Sequence, residues 1–467
     1  MWNATQIHDL LEQQRNYFLS GQTLDLSFRL RQLEQLEHAV RKYESRLIAA
    51  LHQDLGRHEM EGYFCDVGSL LMEIRETRRG LRRWARPEVH FSSLACFPSL
   101  ITRVYRMPYG VTLIISPFNF PILLSLGVLA AAIAGGNTAI LKTSSKSSHC
   151  TSVLMDLVKE TFSPEYISLV DGGHDTADLL LEERFDKIFY TGSPGVARHI
   201  MEKAARHLTP VALELGGETG NFAVVRADAD IKDAARKIAF FKLLNSGQVC
   251  ININQVAVAR EVADDFIREL KLAFERQIGT DPLKSPEYPR LISPGAWQKC
   301  ADEAKACRDR IVFGGHGDME NLRFEPTLIY PASLDEPLTN HELFSPLLPV
   351  IPFDDRDIDR LMDAIARREH GLALYLFTRS RKWAVREMTR QQYGGGCINE
   401  VCVHMMVPGV PFGGTGHSGM GAYHGRYGFM EFTHPSTVLF GHTHFNLPLR
   451  EHPYTRQKEK LIRMVEK

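Results

Sequence analysis

Excess charge of one sign is missing from this chain: 55 basic residues stand against 56 acidic ones, interspersed along 467 positions. Without a basic stripe there is no electrostatic case for nucleic acid as a partner. Framework cysteines are missing too. The eight cysteines (65, 96, 150, 250, 300, 307, 397 and 402) follow no disulfide or zinc spacing, and no signal peptide precedes them. Free thiols in a reducing cytoplasm are therefore expected. Cys397, Cys402 and His404 are irregularly spaced with no second pair, and His341-Glu342 lacks a zincin's second histidine, so no metal site is expected. Internal repeats and low-complexity linkers are absent. A membrane span is not expected either. Pro108 to Leu141 carries no charge, but Pro117, Asn119 and Pro121 interrupt it and Gly135-Gly136 closes its second half. That pattern predicts a buried strand, a polar loop, a helix and a second strand.

What remains is the composition of a globular chain, 44% hydrophobic and 24% charged, long enough for two or three domains. Leu33, Leu36, Val40, Tyr43 and Leu47 recur at helical spacing and predict a packing face near the N-terminus. A basic, aromatic segment from Arg79 to Arg106 contains an expected extended arm at 101–106. Apolar runs suited to strands then lie at 111–115, 138–141, 167–170, 186–190 and 210–215, separated by helical stretches at 122–134, 147–161, 174–183 and 194–206. This βαβα rhythm predicts an α/β fold with a parallel sheet covered by helices. Ligands of such sheets sit at the carboxyl ends of the strands. A second α/β segment is expected from about 220 to 403.

The unusual loops fall at those ends. Asn245–Cys250 follows an amphipathic helix (Ile231, Ala235, Ile238, Phe241) with an acidic start at Asp228 or Asp230. Backbone N–H groups in such a turn favour a thiolate or an oxyanion, although a turn cysteine also serves as a small hydrophobe. Asn119, held between prolines, suits an oxyanion donor or a helix cap. Glu214, between two leucines at a strand end, suits a general base if buried and a solvent-facing strand end if not. Ser193 and Pro194 open a helix whose N-terminus can hold a phosphate or simply be capped. Lys142 ends a strand, where it can bond a ribose or stand as a surface charge. Gly414–Gly419 matches G-x-G-x-x-G but lacks a βαβ unit, so a tight turn is expected there.

In chain order, PFNFP (117–121), LK (141–142), TGS (191–193), LELGG (213–217), NSGQVC (245–250), ELFSP (342–346) and PFGGTGHSGMG (411–421) resemble the aldehyde dehydrogenase superfamily, specifically its shorter class 3 type. The resemblance implies a Rossmann-like cofactor domain (1–86 and 108–216), a catalytic domain (217–403), a bridging sheet used for homodimerisation (87–107 and 404–447) and a tail (448–467). It implies NAD or NADP as cofactor and a small-molecule aldehyde as substrate. Cys250 then matches the nucleophile, Glu214 the general base, and Asn119 with the Cys250 N–H the oxyanion hole. Lys142 and Ser145 match positions at the adenosine ribose, Gly192 and Ser193 the pyrophosphate contact, and Glu342 with Phe344 the nicotinamide-ribose clamp.

The chain also departs from the pattern. Ser145 replaces a glutamate that grips the ribose, which predicts relaxed discrimination between NAD and NADP. Lys146 is expected to open the next helix, pointing to a phosphate or to solvent. Pro194 replaces a threonine and removes a backbone donor, and Glu218 replaces a lysine, placing a negative charge near the base. His341, Ser345 and His417 replace Glu, Gly and Asn. Two rival readings use the same fold: a cofactor-free thiol hydrolase pairing Cys250 with a histidine, and a catalytically silent scaffold.

Overall fold

The computed structural model describes residues 2–92, 96, 99–444 and 448–465. Parts of the expected bridging segments and tail (93–95, 97–98, 445–447, 466–467) lie outside the described residues. The N-terminal helix Ala4–Leu19 starts on a capping box, with Asn3 and Gln6 each accepting the other's backbone N–H. The helix Leu26–Leu55 runs from an Asp25 cap to Gly56, and Leu33, Leu36, Val40, Tyr43 and Leu47 are all buried, as their spacing predicts.

A six-stranded sheet follows, in the order 419–420, 211–215, 187–192, 111–115, 138–142, 167–170. All its pairings are parallel except that of Gly419–Met420 against Leu213 and Glu214. The first strand in sequence, Val111–Ile115, lies inside the sheet, and the chain continues to one side of it before returning to the other. That reversal makes a crevice at the carboxyl ends, flanked by the loops after Ile115 and Gly192. The uncharged run 108–141 is the heart of this sheet: the helix Val128–Gly135 and the strand Thr138–Lys142 are buried throughout. Among the described residues no helix is long and apolar enough to cross a membrane.

A second sheet of seven strands has the order 311–313, 327–329, 347–353, 253–259, 221–225, 373–377, 395–398, parallel apart from its first pair. A third, antiparallel sheet joins Glu88–Phe91, Ile101–Pro108 and Thr433–Phe440. Thr433–Phe440 forms one edge of this sheet, and Val438, Leu439 and Phe440 on it are exposed.

Candidate active site

The helix Ile231–Leu243 is capped by Asp230, whose carboxylate accepts from Asp233 N at 3.1 Å. The chain then turns through Asn245 and Ser246 at φ 48° and 54°, in the left-handed region where side chains crowd the backbone. Amide side chains hold this turn. Asn245 Nδ2 donates to Asn119 O at 3.1 Å and to Gln248 O at 3.0 Å. Gln248 Nε2 donates to Asn245 O and Arg290 O, and its Oε1 accepts from Ile292 N at 3.0 Å. Gly247 is required by contact, since a Cβ there would lie 2.1 Å from Ser345 O.

The loop that carries Asn119 meets this turn directly. Asn119 Nδ2 donates to Gln248 O at 3.1 Å, which orients the amide and leaves its second hydrogen uncommitted among the described residues. Glu214 is buried at the end of Val211–Leu215, and burial, followed by the charge of Glu431, lifts its carboxyl well above the usual range. Its Oε2 is buried without a hydrogen-bond partner. Burial pushes the Cys250 thiol up to about 12, with Glu342 and Glu214 adding to the rise and the N–H groups of Ile251 and Cys250 opposing it. The backbone N–H groups of the turn favour the thiolate as expected, but burial opposes them. Desolvation outweighs the backbone donors and favours the protonated thiol.

The predicted cofactor positions lie on strand ends and loops of the two large sheets. Ser193 is the N-cap of Pro194–Ala205 but makes no side-chain capping bond, so its Oγ is free for a ligand. Thr191 Oγ1 and Glu342 Oε1 are buried and unpartnered. A Cβ on Gly216 would meet Glu342 Oε1 at 1.9 Å, and one on Gly192 would meet Tyr190 Oη at 2.1 Å. Glu342 is partly exposed as a residue, yet the burial of its carboxyl raises it to about 8. Phe344 is held at φ 50° with its ring edge-on to Phe118 at 5.9 Å. Lys142 Nζ donates to Thr143 O and Gly172 O, both at 2.8 Å, and burial lowers its pKa. Buried polar atoms are ordinarily bonded. The unpaired Thr191 and Glu342 oxygens and the helix N-terminus after Ser193 fit a large polar ligand such as a nicotinamide dinucleotide.

Two expectations change. The helix after Lys142 begins at Ser148, with Ser147 as its N-cap, so Ser145 and Lys146 lie on an exposed turn and neither opens nor caps it. Lys146 Nζ lies 5.5 Å above the Phe118 ring. Glu218 does not bear on Glu214; it pairs with Arg198 and, at 3.2 Å, with His417, which also meets Glu369 at 3.0 Å. The lost donor at Pro194 is joined by a second, because Ser193 N–H is taken by Tyr190 Oη at 2.9 Å.

One group escaped the sequence reading. Arg57 is 1% exposed and bonds to Asp66, Asn119 O and Asn245 Oδ1. Just past the end of a helix, nothing in its spacing separates it from a surface arginine.

Known proteins share this sequence pattern and fold. The profile of the aldehyde dehydrogenase family matches residues 2–438. The chain is 35% identical to 4,4'-diaponeurosporen-aldehyde dehydrogenase of Staphylococcus aureus, over 94% of each chain. It is 33% identical to the dimeric NADP-preferring aldehyde dehydrogenase of Rattus norvegicus, over 93% of this chain and 94% of that one. The solved substrate-bound state of Staphylococcus aureus AldH superposes with a TM-score of 0.95 at 34% identity, covering 99% of both chains.

Proposed function

Since the chain belongs to the aldehyde dehydrogenase family, we propose that its reaction, the NAD(P)-dependent oxidation of an aldehyde to the acid, runs through Cys250, Asn119 and Glu214. The observation that carries these roles is the convergence of a crowded thiol, an oriented amide and a desolvated carboxyl at the ends of two parallel sheets. Glu214 takes the Cys250 proton as the sulfur adds to the aldehyde carbon. The free Asn119 Nδ2–H and the Cys250 N–H hold the resulting oxyanion. NAD or NADP, when bound, supplies the hydride acceptor. After passing that proton to solvent, Glu214 takes a proton from the water that releases the acid and returns it to the departing Cys250 sulfur. A thiol hydrolase is disfavoured, because the crevice and its unpaired oxygens would serve nothing in it. A silent scaffold is disfavoured by the intact trio.

Lys142 and Ser145 would hold the adenosine end, Gly192 and Ser193 the pyrophosphate, and Glu342 with Phe344 the nicotinamide ribose. The exposed Ser145 carries no charge to repel a 2′-phosphate, so NADP is used alongside NAD. The three sheets support a division into a cofactor domain (1–86, 108–216), a catalytic domain (217–403), a bridging element (87–107, 404–447) and a tail (448–467). The exposed edge Thr433–Phe440, with its apolar end, supports a homodimer, as does the dimeric rat relative. Eight cysteines without a framework spacing fit a cytoplasmic setting. The test is the near-ultraviolet absorbance of reduced nicotinamide with an aldehyde and either cofactor; no signal with either overturns the reading. A light-scattering mass near that of one chain overturns the dimer.

A further inference from the structure

We propose that Arg57 is a positioning residue that fixes the oxyanion loop against the nucleophile loop. The inference rests on the roles proposed above for Asn119 and Cys250.

A guanidinium taken out of water is tolerated only when its donors are met. A mere counter-ion for Asp66 would need one contact, and Arg57 makes three in different directions. Its Nη1 donates to Asp66 Oδ2 at 2.5 Å, its Nε to Asn245 Oδ1 at 2.9 Å, and its Nη2 to Asn119 O. The Phe120 ring lies 4.4 Å from the guanidinium carbon, on its open face. Two of these acceptors belong to the catalytic loops, which also bond to each other. Asn245 Nδ2 donates to Asn119 O, and both amides donate to Gln248 O, two residues before Cys250. Arg57 thus closes a ring through Asn119, Gln248 and Asn245.

The same cluster pins the flanks. Asp66 Oδ1 accepts from Ile122 N at 3.2 Å and Leu123 N at 2.9 Å, just past the oxyanion loop. Glu61 Oε1 accepts from Asn245 N at 2.9 Å and lies 3.5 Å from Arg57 Nε. Asn245 and Ser246 occupy strained backbone angles, which persist only when their surroundings over-determine them. The planar fork of arginine supplies that constraint, whereas a lysine ammonium is a single point charge.

Arg57→Met and Arg57→Lys are compared with Asn119→Ala in steady-state kinetics, with cofactor dissociation constants read from protein fluorescence. Displacing a reacting group by about 1 Å costs about 10²-fold, so Arg57→Met should lower kcat by that order and leave the NADP dissociation constant within about twofold. Arg57→Lys, which keeps the buried charge, should fall between it and the wild type. Adding Arg57→Met or Arg57→Lys to Asn119→Ala should cost little more, because the arginine acts through that amide. Multiplicative losses in the double variants, or full turnover in Arg57→Lys, would overturn the inference. Should Arg57→Met fail to fold, Arg57→Lys alone and combined with Asn119→Ala decides the question. An inert wild type would instead remove the proposed reaction itself.

Discussion

The loop that carries Cys250 and the turn that carries Ser145 are built on opposite terms. From Asn245 to Gln248 every residue is buried, two have left-handed backbones, and side-chain amides bond the segment to the oxyanion loop and to Arg57. Around Ser145 the hydrogen bonds are local, Lys146 N to Ser144 Oγ and Ser147 N to Ser144 O, both at 3.3 Å, and Ser145 is exposed. Disturbance at the first loop spreads through a network held in low dielectric. At the second it stays where it is made. On the reading proposed above, the chemistry falls on the first loop and the choice of cofactor on the second.

The sharpest break of this contrast would come at Cys250. Cys250→Ala should abolish nicotinamide reduction while the melting transition stays cooperative, and near-wild-type rates would take the nucleophile out of the buried loop. Next in size, Glu214→Gln should slow turnover by about 10²–10⁴-fold and accumulate a thioester on Cys250, visible as a mass increment after one turnover. Undiminished steady-state turnover would assign water activation elsewhere. Asn119→Ala should cost about 10²–10³ in kcat if its free hydrogen meets the oxyanion.

Glu342 sharpens the comparison without a rate. Its carboxyl is raised from 4.5 to about 8, so the protonated form is the one the fold prefers. Its contribution to stability is full below about pH 4.5 and is lost as pH rises through about 8. Glu342→Gln should therefore flatten the fall in urea midpoint across that window, and an unchanged slope would show that the carboxyl is not buried in solution. The smallest effect is expected on the exposed turn. Ser145→Glu should shift the ratio of NADP to NAD efficiencies toward NAD by only about two- to fivefold, the scale of a solvent-exposed charge interaction. No shift would mean that this turn does not read the 2′ position. A shift of several orders would mean that it is as tightly built as the nucleophile loop.

Much of this was legible in the chain. The strands expected at 111–115 and 167–170 are observed with those limits, and the helix expected at 147–161 begins one residue later. Apolar runs bounded by glycine, proline and small polar residues leave little choice of element there. Asn119, Glu214 and Cys250 stood out because each is a polar or nucleophilic residue at the end of an apolar element. The positive φ of Asn245 and Ser246 was not legible, since neither is glycine and the forces that impose it come from Arg57, Asn119 and Gln248. Glu218 misled for a related reason. Adjacency to the LELGG segment suggested influence on the base, but Arg198, His417 and the surface claim its carboxylate.

By itself, then, the sequence determined which elements form, in what order, and which side chains are able to do chemistry, because these follow from local periodicity and residue type. The tertiary structure alone decided the raised proton affinity of Cys250, Glu214 and Glu342, the left-handed turn before Cys250, and the burial of Arg57 between two loops. Each of these depends on how completely water is removed and on which distant group replaces it, and residue spacing carries no record of either.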